Sequence, residues 1–367
     1  MKLLVQPGDG VEQLIQGIEK AKKSVEIVIF RFDRRDIENA LKKAVNRGVF
    51  VHALIAHANR GGKERLRRLE MRLLEAGGTV ARTSDDLLRY HYKMVIIDRR
   101  ILYLLAFNFT YLDIAHSRSF GIITSNRKLV QEAVKLFEAD TRRQPYIPES
   151  RSFLVSPANS RAQLASFIKN TRKQLLIYDL KVSDRAMIRL IENRAKAGIE
   201  VRIIGRITGR SGKIEARRSE HIRMHTRTIF RDGKLAFIGS QSLRAAELDK
   251  RREVGVIVND PKIVSRIGMI FEEDWAAAGS VEREEAKERQ AVPLAKAARH
   301  VAKAFPPIAP VLEQAVKDVV GNTDDLDVEK FEETVKDAVK EAVIEAVQDA
   351  VQDAVHDNDR EPGEESK

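Results

Sequence analysis

Cysteine is absent from the 367 residues, which excludes disulfides and thiolate metal sites at once. Aromatic residues make up only 6% of the chain, with a single Trp, so rows of rings for stacking single-stranded bases are not expected. No apolar run approaches the length of a membrane-spanning helix. The first residues reach Pro7 and Gly8 too soon for the apolar region of a secretory signal, so the cytoplasm is the expected compartment. Acidic residues are scarce in the body of the chain but not at its end. From Val281 onward there are 12 Lys/Arg and 22 Asp/Glu, whereas residues 1–280 hold 53 and 32, a net of +21. A body this basic implies an anionic partner: nucleic acid, an anionic lipid surface or a phosphate-bearing substrate. The alternative is a solvated basic surface with no ligand.

What the chain does have is a repeat. His91-Tyr92-Lys93, followed by Asp98, returns 134 positions later as His225-Thr226-Arg227, followed by Asp232. At the same offset Leu105-Ala106-Phe107-Asn108 corresponds to Gly239-Ser240-Gln241-Ser242, and Phe137-Glu138-Ala139-Asp140 to Phe271-Glu272-Glu273-Asp274. Upstream the offset is 150, pairing Lys22 to Ile27 with Arg172 to Ile177 and Arg47-Gly48-Val49 with Ala197-Gly198-Ile199. The 16-residue difference falls before the His motif, where the first half has a charged helical stretch, Glu64 to Ala76, and the second a shorter basic one near Thr208 to Arg223. Repetition at this length signals duplicated domains, not a solenoid. Each half supplies an imidazole, a cation and a carboxylate.

Each half opens as strand, helix, strand. Val25 to Phe30 is a β-branched, apolar run, and Ile37, Ala40, Leu41 and Ala44 fall on one face of a helix over Asp36 to Asn46. Val49 to Ile55 predicts the next strand. The second half repeats this with Leu175 to Tyr178, Arg185 to Lys196 and Ile199 to Ile204. The alternation predicts an α/β layered fold with helices over a largely parallel sheet. Period-two alternation puts His91, Lys93 and Val95 on one strand face. Burying an imidazole and a cation there is costly unless something pairs with them, and phosphate is an obvious candidate. The expected division is 1–145, 146–280 and an acidic tail, 281–367. In that tail an Ala-Val pair recurs every four residues from Ala338 to Val355. Such a stripe suggests self-association through 324–356 or an acidic lid over the basic body, the alternative being a solvated helix. The last residues, Asp357 to Lys367, read as disordered.

Together these residues resemble the phospholipase D superfamily, whose signature is His-x-Lys-x4-Asp followed by a Gly-Ser-x-Asn element, twice per active site. The resemblance covers about residues 1–280. Met94 to Thr110 looks like the small bacterial endonucleases of the superfamily, and Gly239 to Gly255 more like its phospholipase D and cardiolipin-synthase-type enzymes. It implies two tandem α-β-α domains related by a pseudo-twofold, with the tail as a helical appendage. It also implies phosphodiester cleavage or phosphatidyl transfer through a phosphohistidine, without metal or cofactor. His91 is then the nucleophile and His225 the general acid and base, with Lys93 and Arg227 on the non-bridging oxygens. Asp98 and Asp232 would each orient the opposite imidazole. Asn108, Ser240 and Ser242 would donate hydrogen bonds around the phosphate, and Glu253 would occupy the family's acidic position. The implied substrate is a phospholipid, with peripheral contact to an anionic membrane. The alternatives are a metal-independent nuclease of the superfamily, or a degenerate module that binds anions without turnover.

The sequence departs from the family at several points. Arg227 stands for lysine, Leu105-Ala106 for Gly-Ser, Ser242 for Asn, and Ser119 is the repeat mate of Glu253. His52 and His57 read as structural or exposed, His300 and His356 as solvated, and His116 and His221 as bland positions near the site motifs, the alternative being contact with substrate. Phe137, Phe271 and Trp275 read as domain packing, and Gly61-Gly62 as a flexible loop lacking any P-loop pattern. Arg65, Arg67, Arg68, Arg72, Arg206, Arg210, Arg217 and Arg218 would line the site mouth or be solvated.

Overall fold

The computed structural model describes residues 1–57, 63–208, 214–219 and 221–280. The expectations for the tail, including self-association through 324–356, and those for Gly61-Gly62 and Arg210 lie outside the described residues. Met1–Ser280 form one compact unit.

Two large sheets make up this unit. In spatial order one contains Lys2–Gln6, Ser117–Thr124, Ile101–Leu105, Lys93–Ile97, Ser24–Ile29, Phe50–Ile55 and Thr79–Arg82. The other contains Gly279–Ser280, Glu215–Arg218, Glu200–Ile207, Gln174–Val182, Arg227–Arg231, Leu235–Gly239, Val254–Val258 and Phe153–Val155. Both sheets are mixed, which corrects the expectation of a largely parallel one. Ser24–Ile29 and Phe50–Ile55 run parallel because the helix Arg35–Asn46 crosses between them. Lys93–Ile97 runs antiparallel to both its neighbours because it continues into Ile101–Leu105 through a tight turn. The second half repeats both arrangements.

The turn explains the motif aspartate. Asp98 and Arg99 have φ of 51° and 52°, and Asp232 and Gly233 have 56° and 68°. This left-handed pair matches the twist of a tight hairpin, and Asp and Gly tolerate it. Arg99 is held there by Glu26 at 2.8 Å and Glu138 at 2.7 Å. The Asp98 carboxylate accepts from the amides of Lys22, Lys23 and Ser24 at 2.7 to 3.0 Å. Asp232 likewise accepts from Arg172, Lys173 and Gln174 at 2.7 to 3.1 Å. Each aspartate therefore ties its hairpin to the start of the neighbouring strand.

Alternation along the motif strands builds the core. Tyr92, Met94 and Ile96 join Tyr178, Phe230 and Ile238 in one buried cluster, together with the helices Arg127–Thr141 and Pro261–Ala277. Val95 and Ile97 face a second cluster under Glu12–Lys20, Arg35–Asn46 and Lys63–Glu75. Ile177 and Ile229 face a third under Ser160–Lys169 and Arg185–Lys196. Phe137, Phe271 and Trp275 belong to the first cluster, so they pack between the halves and not at the end of either. Reciprocal polar ties cross the same seam. Asp140 accepts from Tyr92 at 2.7 Å and pairs with Arg252 at 3.1 Å, while Asp274 accepts from Tyr178 at 2.6 Å and from Arg118 at 2.8 Å. Asp140 and Asp274 are repeat mates, as are Arg118 and Arg252.

Three backbone amides hold each of Asp98 and Asp232 below the ordinary carboxylate range, against the opposing effect of partial burial. A depressed folded-state pKa contributes stability that is present above the unfolded value of about 4 and is lost as pH falls through the folded one. Asp98→Asn and Asp232→Asn should each lower the unfolding free energy by about 1–2 kcal/mol, discounted for solvent screening, and flatten the acid limb of the stability curve. Urea midpoints that match the parent at both pH 7 and pH 4 would reject this role.

Candidate active site

Each imidazole is anchored by the main chain of the opposite half. Arg89–Tyr90 pairs in parallel with Arg251–Arg252, and the next amide, His91 N, donates to Arg252 O at 2.8 Å. In mirror fashion Arg223–Met224 pairs with Ser117–Arg118, and His225 N donates to Arg118 O at 3.0 Å. Both histidines precede their strands, Lys93–Ile97 and Arg227–Arg231, and both are buried. Lys93 and Arg227 each act electrostatically on both rings. The seam thus brings the two half-motifs into one basin of charge.

The two histidines are held differently. His91 Nδ1 lies 3.0 Å from both oxygens of Glu253, and its Nε2 lies 3.0 Å from Lys93 Nζ. Phe30 packs edge-on against the His91 ring at 4.5 Å between centroids. His225 Nδ1 lies 3.5 Å from Asp113 Oδ2, an ion-pair distance longer than a good hydrogen bond. Asp113 also accepts from Asn108 N at 2.8 Å, Asn108 Nδ2 at 2.7 Å and Arg223 Nη1 at 2.7 Å. Thr110 caps the short helix Tyr111–Ala115 that carries it.

Burial drives both imidazoles well below their usual pKa. The cations Lys93 and Arg227 add to this at His91, whereas Asp113 works against it at His225. Burial also brings Lys93 down to about 7, with Glu253 opposing and Arg227 assisting. The Glu253 carboxyl is pushed up by burial and by its neighbour Glu247. Burial would raise Asp113 too, but His225, Arg223 and the Asn108 amide outweigh it and hold that carboxyl low. A neutral imidazole with its proton on Nδ1 presents an Nε2 lone pair, the form a nucleophile or base needs.

Several expected roles fall to other residues. Asp98 and Asp232 do not orient the histidines; their carboxylates are bonded to strand-start amides, and Glu253 and Asp113 face the imidazoles instead. Ser240 Oγ donates to Val254 O at 3.3 Å and accepts from Val254 N at 3.1 Å. Ser242 Oγ donates to the buried Asp179, so both hydroxyls bond within the protein and not toward a phosphate. Asn108 gives its amide to Asp113, while its Oδ1 is buried without a partner. Arg227 donates from Nη1 to His225 O at 3.2 Å, and its Nε is also buried and unpartnered. An orphaned guanidinium N–H of this kind is what an anionic oxygen would satisfy.

Asp113 was missed in the sequence. Its signal was the repeat, since Glu247, 134 positions on, is also buried and accepts from Ser242 N at 2.5 Å. Four of the arginines that would line the site mouth or be solvated have defined surroundings. Arg72 binds Glu38, Arg217 lies over Trp275 at 4.4 Å, and Arg67 and Arg68 are exposed on the outer face of Lys63–Glu75. Among the described residues no group of three or more His, Asp or Glu is placed to hold a metal ion. No helix among them is long and apolar enough to cross a membrane.

Because burial lowers both values, His91 and His225 should stay neutral at the pH near 6.5 where an ordinary histidine changes charge. Nitrogen-resolved NMR of the imidazoles reads this directly, and His91 should be protonated on Nδ1. An imidazolium signal for either ring at pH 7 would contradict the burial argument.

The sequence matches the family described as cardiolipin synthase, PLD-like domain, twice, over residues 14–141 and 164–275. No curated protein matches it significantly. Among solved structures it is similar to the polyphosphate kinase of Porphyromonas gingivalis, with 19% identity and a TM-score of 0.63, over 74% of this chain and 46% of the kinase. The chain thus spans less than half of that protein's length. It is similar in fold to the phosphatidylserine synthase of Haemophilus influenzae, with 10% identity and a TM-score of 0.58, over 76% of this chain and 87% of the synthase. Similarity to Nuc of Salmonella typhimurium, a phospholipase D family member, extends over 39% of this chain and 93% of that one, at 25% identity and a TM-score of 0.35. With two matching segments that together take in more than half of its length, this chain belongs to the phospholipase-D-like family typified by the cardiolipin synthase domain.

Proposed function

We propose that the protein is a phosphodiesterase of the phospholipase D type that cleaves or transfers phosphatidyl groups through a phosphohistidine. The observation that carries this reading is the unequal pairing of the two imidazoles, His91 with Glu253 at 3.0 Å and His225 with Asp113 at 3.5 Å. Glu253 faces Nδ1 of His91, and Lys93 Nζ holds Nε2 until the phosphate draws that cation to its own oxygens, which exposes the Nε2 lone pair to phosphorus. As the P–N bond forms, the bond to the leaving oxygen breaks and that oxygen takes a proton from His225. Water or an alcohol then gives its proton to His225 and attacks phosphorus, and the P–N bond breaks to restore His91. His225 can carry the proton because the arriving anion offsets the cations around it, and Asp113 stabilises the imidazolium. Lys93 and the orphaned Nε of Arg227 suit the non-bridging oxygens, where charge gathers in the transition state.

The family and the similarity of fold to a phosphatidylserine synthase support a phospholipid substrate at an anionic membrane. The basic body supports the second reading, a metal-independent nuclease. The test incubates the full chain in EDTA with phosphatidylglycerol vesicles plus glycerol, with single-stranded DNA, and with bis(p-nitrophenyl) phosphate. His91→Ala and His225→Ala should each reduce turnover by roughly 10²- to 10⁴-fold. Acid-labile, alkali-stable label should accumulate on the parent chain but not on His91→Ala. Binding of all three substrates without turnover would leave only a degenerate anion-binding module.

Lys93 sets the alkaline limit. With its pKa brought down to about 7, it is charged below that pH and neutral above it. The kcat/KM profile should therefore decline as pH rises through about 7, and Lys93→Arg should move that limb to higher pH because guanidinium stays charged. An unchanged limb in Lys93→Arg would assign it to another group.

A further inference from the structure

We propose that Asp140 is a positioning residue for His91, acting through Arg252, and that its protonation state controls how firmly that histidine is held. The inference rests on the reading above and adds a regulation of the same site. The chain of contacts runs outward from the nucleophile. His91 N donates to Arg252 O at 2.8 Å, Arg252 Nη2 lies 3.1 Å from Asp140 Oδ1, and Tyr92 Oη donates to Asp140 Oδ2 at 2.7 Å. Arg252, Asp140 and Tyr92 are all buried.

The internal repeat shows why Arg252 needs its carboxylate more than its mate Arg118 does. Arg118 lies in the eight-residue strand Ser117–Thr124, which pairs with Lys2–Gln6 on one side and Ile101–Leu105 on the other. Arg252 lies in the two-residue strand Arg251–Arg252, which pairs only with Arg89–Tyr90 among the described residues. The guanidinium contacts differ too. Arg118 gives Asp274 two aligned hydrogen bonds, from Nε at 2.8 Å and Nη2 at 2.9 Å. Arg252 meets Asp140 by an ion pair without an aligned hydrogen bond, and its Nε is buried without a hydrogen-bond partner. The short ladder that places His91 therefore leans on one buried carboxylate.

That carboxylate sits between opposing influences. Burial favours its neutral form, while Arg252 and the Tyr92 hydroxyl favour the ionised one. Asp86, which accepts from Tyr90 at 2.7 Å, sides with burial, and the Asp140 carboxyl is pushed up to about 6. Tyr146 also feels its charge. An opened ladder withdraws Arg252 and so binds the proton more tightly than the closed one, which means that protonation favours opening. Above about pH 6 the carboxylate holds Arg252; below it the ladder under His91 loosens, while the His225 side keeps its long strand.

Hydrogen exchange of single amides, followed by NMR on the full chain, tests this without turnover. Between pH 7 and pH 5 the protection factor of the His91 amide should fall about tenfold, as the carboxyl becomes about nine-tenths protonated, and that of His225 should hold. Tyr92→Phe removes a donor to the carboxylate and should move the midpoint of the fall to higher pH. Asp86→Asn removes a neighbouring charge at an exposed position, where the fold is not at risk, and should move it to lower pH. Asp140→Asn should show the lowered His91 protection at both pH values. Tyr178→Phe, on the Asp274 side, should leave the midpoint in place. The kcat for bis(p-nitrophenyl) phosphate in EDTA should follow the same midpoints while KM stays nearly constant. Equal loss of protection at His91 and His225, or a midpoint indifferent to both Tyr92→Phe and Asp86→Asn, would overturn the proposal as general acid loosening. Protection that shifts while kcat does not also overturns the positioning role. The expected shifts in a chain with no turnover at all support the relay and reject the catalytic reading alone.

Discussion

The exchange of main-chain hydrogen bonds across the seam is the constraint on which the site depends. His91 N is held by Arg252 O and His225 N by Arg118 O, so the backbone of each histidine is held from the opposite half. The side chains of the same two arginines reach Asp140 and Asp274, which also accept from Tyr92 and Tyr178. One residue per half thus fixes the backbone of a motif histidine through its carbonyl and locks the seam through its guanidinium. Buried pairs of this kind are strongly destabilised when one partner is lost, so the two halves have little freedom to drift apart.

Within that frame the duplicated halves have diverged in electrostatics more than in fold. Glu253 faces His91 squarely, whereas its repeat mate Ser119 gives its hydroxyl to the backbone oxygen of His225. The carboxylate facing His225 comes instead from Asp113, on a different element, and Asp113 is shared with Arg223 and Asn108. Tight pairing favours a fixed tautomer, and a looser pair within a denser charge network favours a group that must gain and lose a proton.

The strands, the crossover helices and the duplication were legible in the sequence because they follow local rules. Ile37, Ala40, Leu41 and Ala44 are buried on the predicted helix face, and Arg185–Lys196 forms with the bounds its pattern implied. The motif aspartates were legible as positions but not as roles. A carboxylate in a left-handed turn beside a strand start binds the nearest amides, and those amides lie 76 and 60 residues earlier in the chain. Spacing within a motif cannot reveal a partner at that separation.

The sequence by itself determined that two half-sites exist, each with an imidazole and a cation, on a duplicated α/β scaffold in a strongly basic body. Periodicity and repetition encode this, and both are properties of neighbouring residues. Only the tertiary structure decided which carboxylate meets which histidine and which cation keeps an unsatisfied N–H. Those outcomes depend on burial and on contacts between residues more than a hundred positions apart, where a few ångströms decide whether a charge is paired or displaced.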